Sequence, residues 1–104
     1  MDNTLLNIGK HYIQNEDTEN ILNVFDALRS NTDYKICIEH IFLKLLYYAC
    51  LNSKKNSTIC LLLYYKDMDV IEKISMRHGL IYSKYIIKNN EFKGWYQNEY
   101  IKYI

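Results

Sequence analysis

Cys37 and His40 stand three residues apart, a spacing that puts both side chains on one face of a helix and within reach of one metal ion. A tetrahedral zinc site would need two further ligands from Cys50, Cys60, His11 or His78, which are scattered singly along the chain. Zinc sites are ordinarily built from two close ligand pairs, and only one loose pair is present. Cysteines buried as small hydrophobes account for the same residues more simply, so no metal or other cofactor is expected. The Cys37–His40 pair could serve as nucleophile and base only with a thiolate-stabilising environment and donors for an oxyanion. Gly9, Gly79 and Gly94 lie far apart and supply neither a donor-rich turn nor a phosphate-binding fingerprint. Asp67 and Asp69 read as a helix start, with no second acidic cluster to join them in metal or general-acid work. The expectation is a protein that is not an enzyme.

What remains is the chemistry of aromatic rings beside cations. The C-terminal third interleaves Tyr82, Tyr85, Phe92, Trp95, Tyr96, Tyr100 and Tyr103 with Lys84, Lys88, Lys93 and Lys102. Single-stranded nucleic acid binds such stacking platforms, with Lys84, Lys88 and Lys93 as the cations. A net charge of only +1 argues against that use, and so does the helical spacing of the rings, which suits a core face. A protein interface fits better, because Tyr and Trp are enriched among the residues that dominate binding energy. Trp95, Tyr96 and Tyr100 would then anchor a groove or a homodimer seam, with Tyr64 and Tyr65 as second candidates.

The elements that must position these side chains are helical. Leu5, Leu6, Ile8, Tyr12 and Ile13 make one apolar face, and Ile21, Leu22, Val24, Phe25 and Leu28 make another. Asp17 or Thr18 can cap the second helix, and Thr32 or Asp33 a third that runs to about Leu51. That third helix is apolar nearly all round, the pattern of a buried central element. The residues 52–57 read as a turn and 58–65 as a fourth helix. Asp69 three residues before Glu72 opens a fifth over Val70, Ile71 and Ile74, and Arg77-His78-Gly79 reads as its end. Short helices over 81–88 and 91–104 complete the chain. There is no proline and no hairpin dipeptide, so the fold class is all-α: about six or seven short helices as stacked helical hairpins, in one domain over 1–104.

Composition bounds the setting. The chain has 104 residues, of which Asn (11), Ile (14), Lys (11) and Tyr (11) make up 47, all with A or T in the first two codon positions. An AT-rich genome explains this bias, as in many large DNA viruses, phages, firmicutes or protozoa. Three cysteines cannot all pair within one chain, which favours reduced thiols and a cytoplasmic protein. The acidic, polar start lacks the basic region of a signal peptide, and no apolar run approaches the roughly 20 residues that span a bilayer. Residues 1–40 carry three basic and seven acidic side chains, net −4; residues 72–104 carry six basic and three acidic, net +3. Such asymmetry steers partners or favours head-to-tail self-association.

Comparing the chain with itself at an offset of 38 sets Ile13 on Leu51, Ile21 on Ile59, Val24 on Leu62 and Phe25 on Leu63. A repeated helix–turn–helix unit must stack to bury both of its faces. Leu46-Tyr47-Tyr48-Ala49-Cys50-Leu51-Asn52-Ser53, then Ile59-Cys60-Leu61-Leu62-Leu63-Tyr64-Tyr65 and Met68-Asp69-Val70, resembles a degenerate ankyrin repeat of the kind found in large DNA viruses. The resemblance covers about a quarter of the chain. It implies that Ala49 is the small residue where helices approach, that Asn52-Ser53 takes the turn, and that Leu61-Leu62-Leu63 is second-helix core. The Thr-Pro-Leu-His opening of that family is missing, and the linker after Ser53 is longer than its pattern.

The resulting expectation is a non-catalytic protein–protein interaction module. Small size and genome bias suggest a viral or phage accessory protein that binds and inhibits or redirects a host protein in the cytosol. A homodimer is the structural alternative, nucleic acid the other competing partner, and no membrane role is expected.

Overall fold

Side-chain oxygens at three helix starts set the boundaries. The structure, a computed structural model, describes residues 3–30 and 37–104. It is all-α: α1 (Asn3–Gln14), α2 (Thr18–Ser30), α3 (Cys37–Leu51), α4 (Lys55–Lys66), α5 (Val70–Ile86) and α6 (Asn90–Glu99), closed by a 3-10 turn over Tyr100–Lys102. Asp17 accepts from the backbone N–H of Asn20, Asp69 from that of Glu72, and Asn89 from that of Phe92. Each satisfies an amide that the helix itself leaves unbonded. The helix α4 has no side-chain cap of its own. Its early amide, Ser57 N–H, donates instead to the Glu16 carboxylate at 2.8 Å, a cap supplied by the α1–α2 turn. Thr32 and Asp33, the expected caps of α3, lie outside the described residues.

Two of the three hairpins are built on one template. In the first turn Glu16 N–H donates to Ile13 O and Asp17 N–H to Tyr12 O; in the second, Ser53 N–H donates to Cys50 O and Lys54 N–H to Ala49 O. Glu16 and Ser53 both take a φ of 54°, the left-handed conformation that reverses the chain. Every one of these positions is related by 37 residues, not 38. The corrected register pairs Val24 with Leu61, Phe25 with Leu62 and Leu28 with Tyr65, all buried. The offset of 38 had put Phe25 on Leu63, which is 49% exposed. Ala49 is buried and Asn52-Ser53 does form the turn, as any helical hairpin of this shape requires. The third hairpin departs from the template: α5 leads through Ile87–Asn89 into α6 without a left-handed residue.

The hairpins stack in two layers. One layer holds α1, α3 and α5 in that order, with α3 touching both neighbours; α2 packs on α4 in the other. Glycines allow the close approaches to α3 on either side. A Cβ on Gly9 would come within 2.8 Å of Leu45, and one on Gly79 within 2.2 Å of Leu43. Gly79 is therefore an interior packing residue of a 17-residue helix, not the terminator its neighbours suggested. The expected short helix over 81–88 is the second half of α5. Similarly α4 begins at Lys55 rather than Thr58, because Ser57 and Thr58 are buried and bonded: Thr58 Oγ1 donates to Lys54 O, and Ser57 Oγ to Ile13 O. The core is one cluster whose centre is aromatic and aliphatic, with Phe25, Phe42, Leu45, Leu62 and Tyr65 fully buried.

Candidate functional site

The aromatic residues expected to form an interface are mostly structural. Tyr96 is fully buried, donates its hydroxyl to Leu80 O at 2.8 Å and so ties α6 to α5. Burial pushes its phenol well above the usual range. Tyr100 is buried and stacked on Tyr96 with ring centroids 5.2 Å apart. Tyr65 is fully buried and donates to Lys73 O at 3.2 Å. These three are removed from the candidate surface, because side chains buried to this extent offer a partner little or nothing to read. Tyr96 and Tyr100 are buried because α6 and the turn after it lay an aromatic face inward, and Tyr65 because it stands on the buried face of α4.

Trp95 and Tyr64 are half-buried and already engaged. Trp95 packs on Phe92 with centroids 5.0 Å apart, and the Lys55 ammonium lies 5.0 Å from its ring centre. Tyr64 stacks on Phe25 at 4.6 Å. Its hydroxyl accepts from Arg29 Nε, and the guanidinium lies over its ring. Arg29 also forms two parallel hydrogen bonds to Glu72, both of 3.1 Å, which hold the guanidinium charged. This strap joins the first hairpin to the third across Tyr64 of the second.

The thiols are arranged for burial. Cys50 is fully buried and its thiol is pushed up to about 12, chiefly by desolvation. Cys60 is raised by burial as well. Both are therefore held as thiols rather than nucleophilic thiolates at neutral pH. The side chain of Cys37 lies outside the described residues, so the Cys37–His40 pair has no geometry to report. Among the described residues no three His, Cys, Asp or Glu side chains gather as a metal site.

Exposed apolar surface is concentrated elsewhere. The outward face of α5 carries Val70 (69% exposed), Ile71 (80%), Ile74 (66%), Ile81 (37%), Tyr82 (54%) and Tyr85 (67%). Ile71, Ile74, His78, Ile81 and Tyr85 follow a spacing of three, four, three and four, the a/d line of a coiled-coil seam. The inward face of the same helix buries Met76, Gly79, Leu80 and Ser83. Tyr82 lies edge-on to Tyr47 of α3 at 5.8 Å, and the Lys84 ammonium sits 5.1 Å from the Tyr85 ring centre. Lys84 thus belongs to this face. Lys88 is exposed just beyond the end of α5, and Lys93 is half-buried in the first turn of α6.

Two concavities differ in charge. Between the start of α5 and the C-terminal Tyr103 and Ile104 lies a groove of about 400 Å³, with Lys66, Lys73, Arg77 and Lys102 around it. A second groove, of about 480 Å³, runs between α2 and α4 over Leu22, Ile59 and Leu63, with Asp26 and Asp67 at its edge. One is rimmed by cations and the other by carboxylates. Among the described residues no helix is long and apolar enough to cross a membrane. Compared with family models, curated proteins and solved structures, the chain matches none of them.

Proposed function

We propose that this chain is a non-catalytic protein–protein interaction module whose contact surface is the outward face of α5. One observation carries the reading: six large apolar or aromatic side chains of one helix stand more than a third exposed, and four of them, Ile71, Ile74, Ile81 and Tyr85, fall on a coiled-coil spacing. A terminal helix in a stack is normally polar on its outer side, because nothing covers it. An apolar stripe there marks a surface that another helix covers. The AT-rich coding bias suits a small viral or phage accessory protein that blocks or redirects a host factor. Such a role needs only a rigid surface.

The test replaces Ile71 and Ile74 together by aspartate and compares this variant with the wild type in affinity capture from nuclease-treated lysate. The expected result is a normal helical circular dichroism spectrum and melting temperature, with loss of a discrete partner. A variant that keeps every captured protein overturns the reading. So does one that unfolds, since the stripe would then be core.

A further inference from the structure

We infer that the covering element is an acidic amphipathic helix of a partner protein, an inference that rests on the docking surface just proposed. The flanks of the stripe carry the specificity. Arg77 and Lys84 occupy the g positions beside the a/d line, where charged residues of paired helices meet. Lys66 and Lys73 lie on the same side, around the groove that ends at Ile104. Among the described residues none of these four cations has a carboxylate within ion-pair distance; the ion pairs present are Arg29–Glu72 and Lys102–Glu99. Three carboxylates on or against α5 are already engaged. Glu72 is held by Arg29, Glu39 accepts from Ser75 Oγ at 2.7 Å, and Asp69 caps the helix.

The other coverings fit less well. A second copy pairing α5 with α5 antiparallel would set Arg77 and Lys84 against the like charges of its own g positions, and a parallel one would leave them facing the uncharged Ser75 and Tyr82. At the opposite end of the layer, α1 itself contains no carboxylate to meet these cations. A lipid surface is flat, whereas the stripe borders a groove of about 400 Å³ that accepts side chains from a neighbouring helix. From Ile71 to Tyr85 the stripe runs about 21 Å, four turns of a partner helix. His78 at its middle places one polar group among apolar layers, a device that fixes helix register.

The experiment uses the full chain and three labelled peptides of about 21 residues, or three heptads, with leucine at a and d. They differ only at e and g, which are glutamate, glutamine or lysine, and binding is read by fluorescence anisotropy. The expected result is that the glutamate peptide binds at least about tenfold tighter than the lysine peptide at low salt, with the gap closing as ionic strength rises. The charge-reversed double variant Arg77→Glu, Lys84→Glu should invert the preference while melting normally. Equal binding of all three peptides overturns the acidic partner and leaves the docking face standing. Binding of none overturns both, and three controls then name what replaces them. Those controls are phosphatidylserine vesicles, a single-stranded oligouridylate, and sedimentation over a concentration series for a second copy.

Discussion

Along the outer side of α1, exposed positions are Thr4, Asn7, His11 and Gln14, and Ile8 is the large apolar residue there that stands more than a third exposed. Along the outer side of α5, six large apolar or aromatic residues do so. Inward, the two helices are alike: each lays a glycine against a leucine of α3 and buries its apolar residues in the same core. An internal helix of a stack has neighbours on both sides, whereas a terminal one has a neighbour on one side only. The α1 end is finished in polar side chains as a cap. The α5 end leaves a row of large apolar side chains uncovered, and the proposed contact surface rests on that difference.

The sharpest way to break the comparison is to truncate the two faces of α5 separately. Leu80 is fully buried against the core, so Leu80→Ala should cost about 2–5 kcal/mol in a urea titration. Ile74, two-thirds exposed, should change stability by no more than about 0.5 kcal/mol when replaced by alanine. A large loss at Ile74 would mean that the outer face is already covered in the isolated protein.

The glycines sharpen it next. Alanine in place of a helix-interior glycine gains about 1 kcal/mol of helical propensity, against which the new methyl must find room. At Gly9 it meets both Cδ atoms of Leu45, at 2.8 and 2.9 Å, and Leu45 is fully buried with no space to turn. Gly9→Ala should therefore destabilise by about 1–2 kcal/mol net, as over-packing a tight core does. At Gly79 the atoms met are the ends of Leu43 and Tyr47, both half-buried and able to swing outward. Gly79→Ala should fall within about 1 kcal/mol of the wild type in thermal melts. Equal losses would show that the α5 side is packed as tightly as the α1 side.

Helical period, the caps of α2 and α5 and the inward face of α2 were legible in the sequence, and the face of α5 was not. Asp17, Asp69 and the 52–53 turn could be read because their signal is local: a short polar side chain three residues ahead of an amide it can reach. The register of the repeat slipped by one because Leu61-Leu62-Leu63 offers equivalent apolar matches at offsets of 37 and 38. Only the turn hydrogen bonds choose between them. Gly79 read as a stop because its conformational freedom is a local property, while its fit against Leu43 depends on a residue 36 positions away. The inward face of α5 was hidden for the same reason, since half of it is Gly79 and Ser83, which carry no apolar signal. Tyr96 and Trp95 looked like anchors because a tyrosine or tryptophan suits a core and an interface equally, and the choice is made by what packs on it.

The smallest effect concerns the strap that links the two ends. Arg29 on α2 and Glu72 on α5 form a forked pair whose side chains are 36% and 16% exposed, so solvent screens part of their attraction. A double-mutant cycle through Arg29→Ala and Glu72→Ala should return a coupling of about 0.5–1 kcal/mol, falling as salt is raised. Arg29→Lys should recover less than half of it, since an ammonium cannot make both parallel bonds to Glu72 and still donate to Tyr64. A coupling near zero would mean that the first and third hairpins communicate only through the second. The outward face of α5 would then be held in place by the second hairpin and α6, and substitutions at the α1 end would leave peptide binding at α5 unchanged.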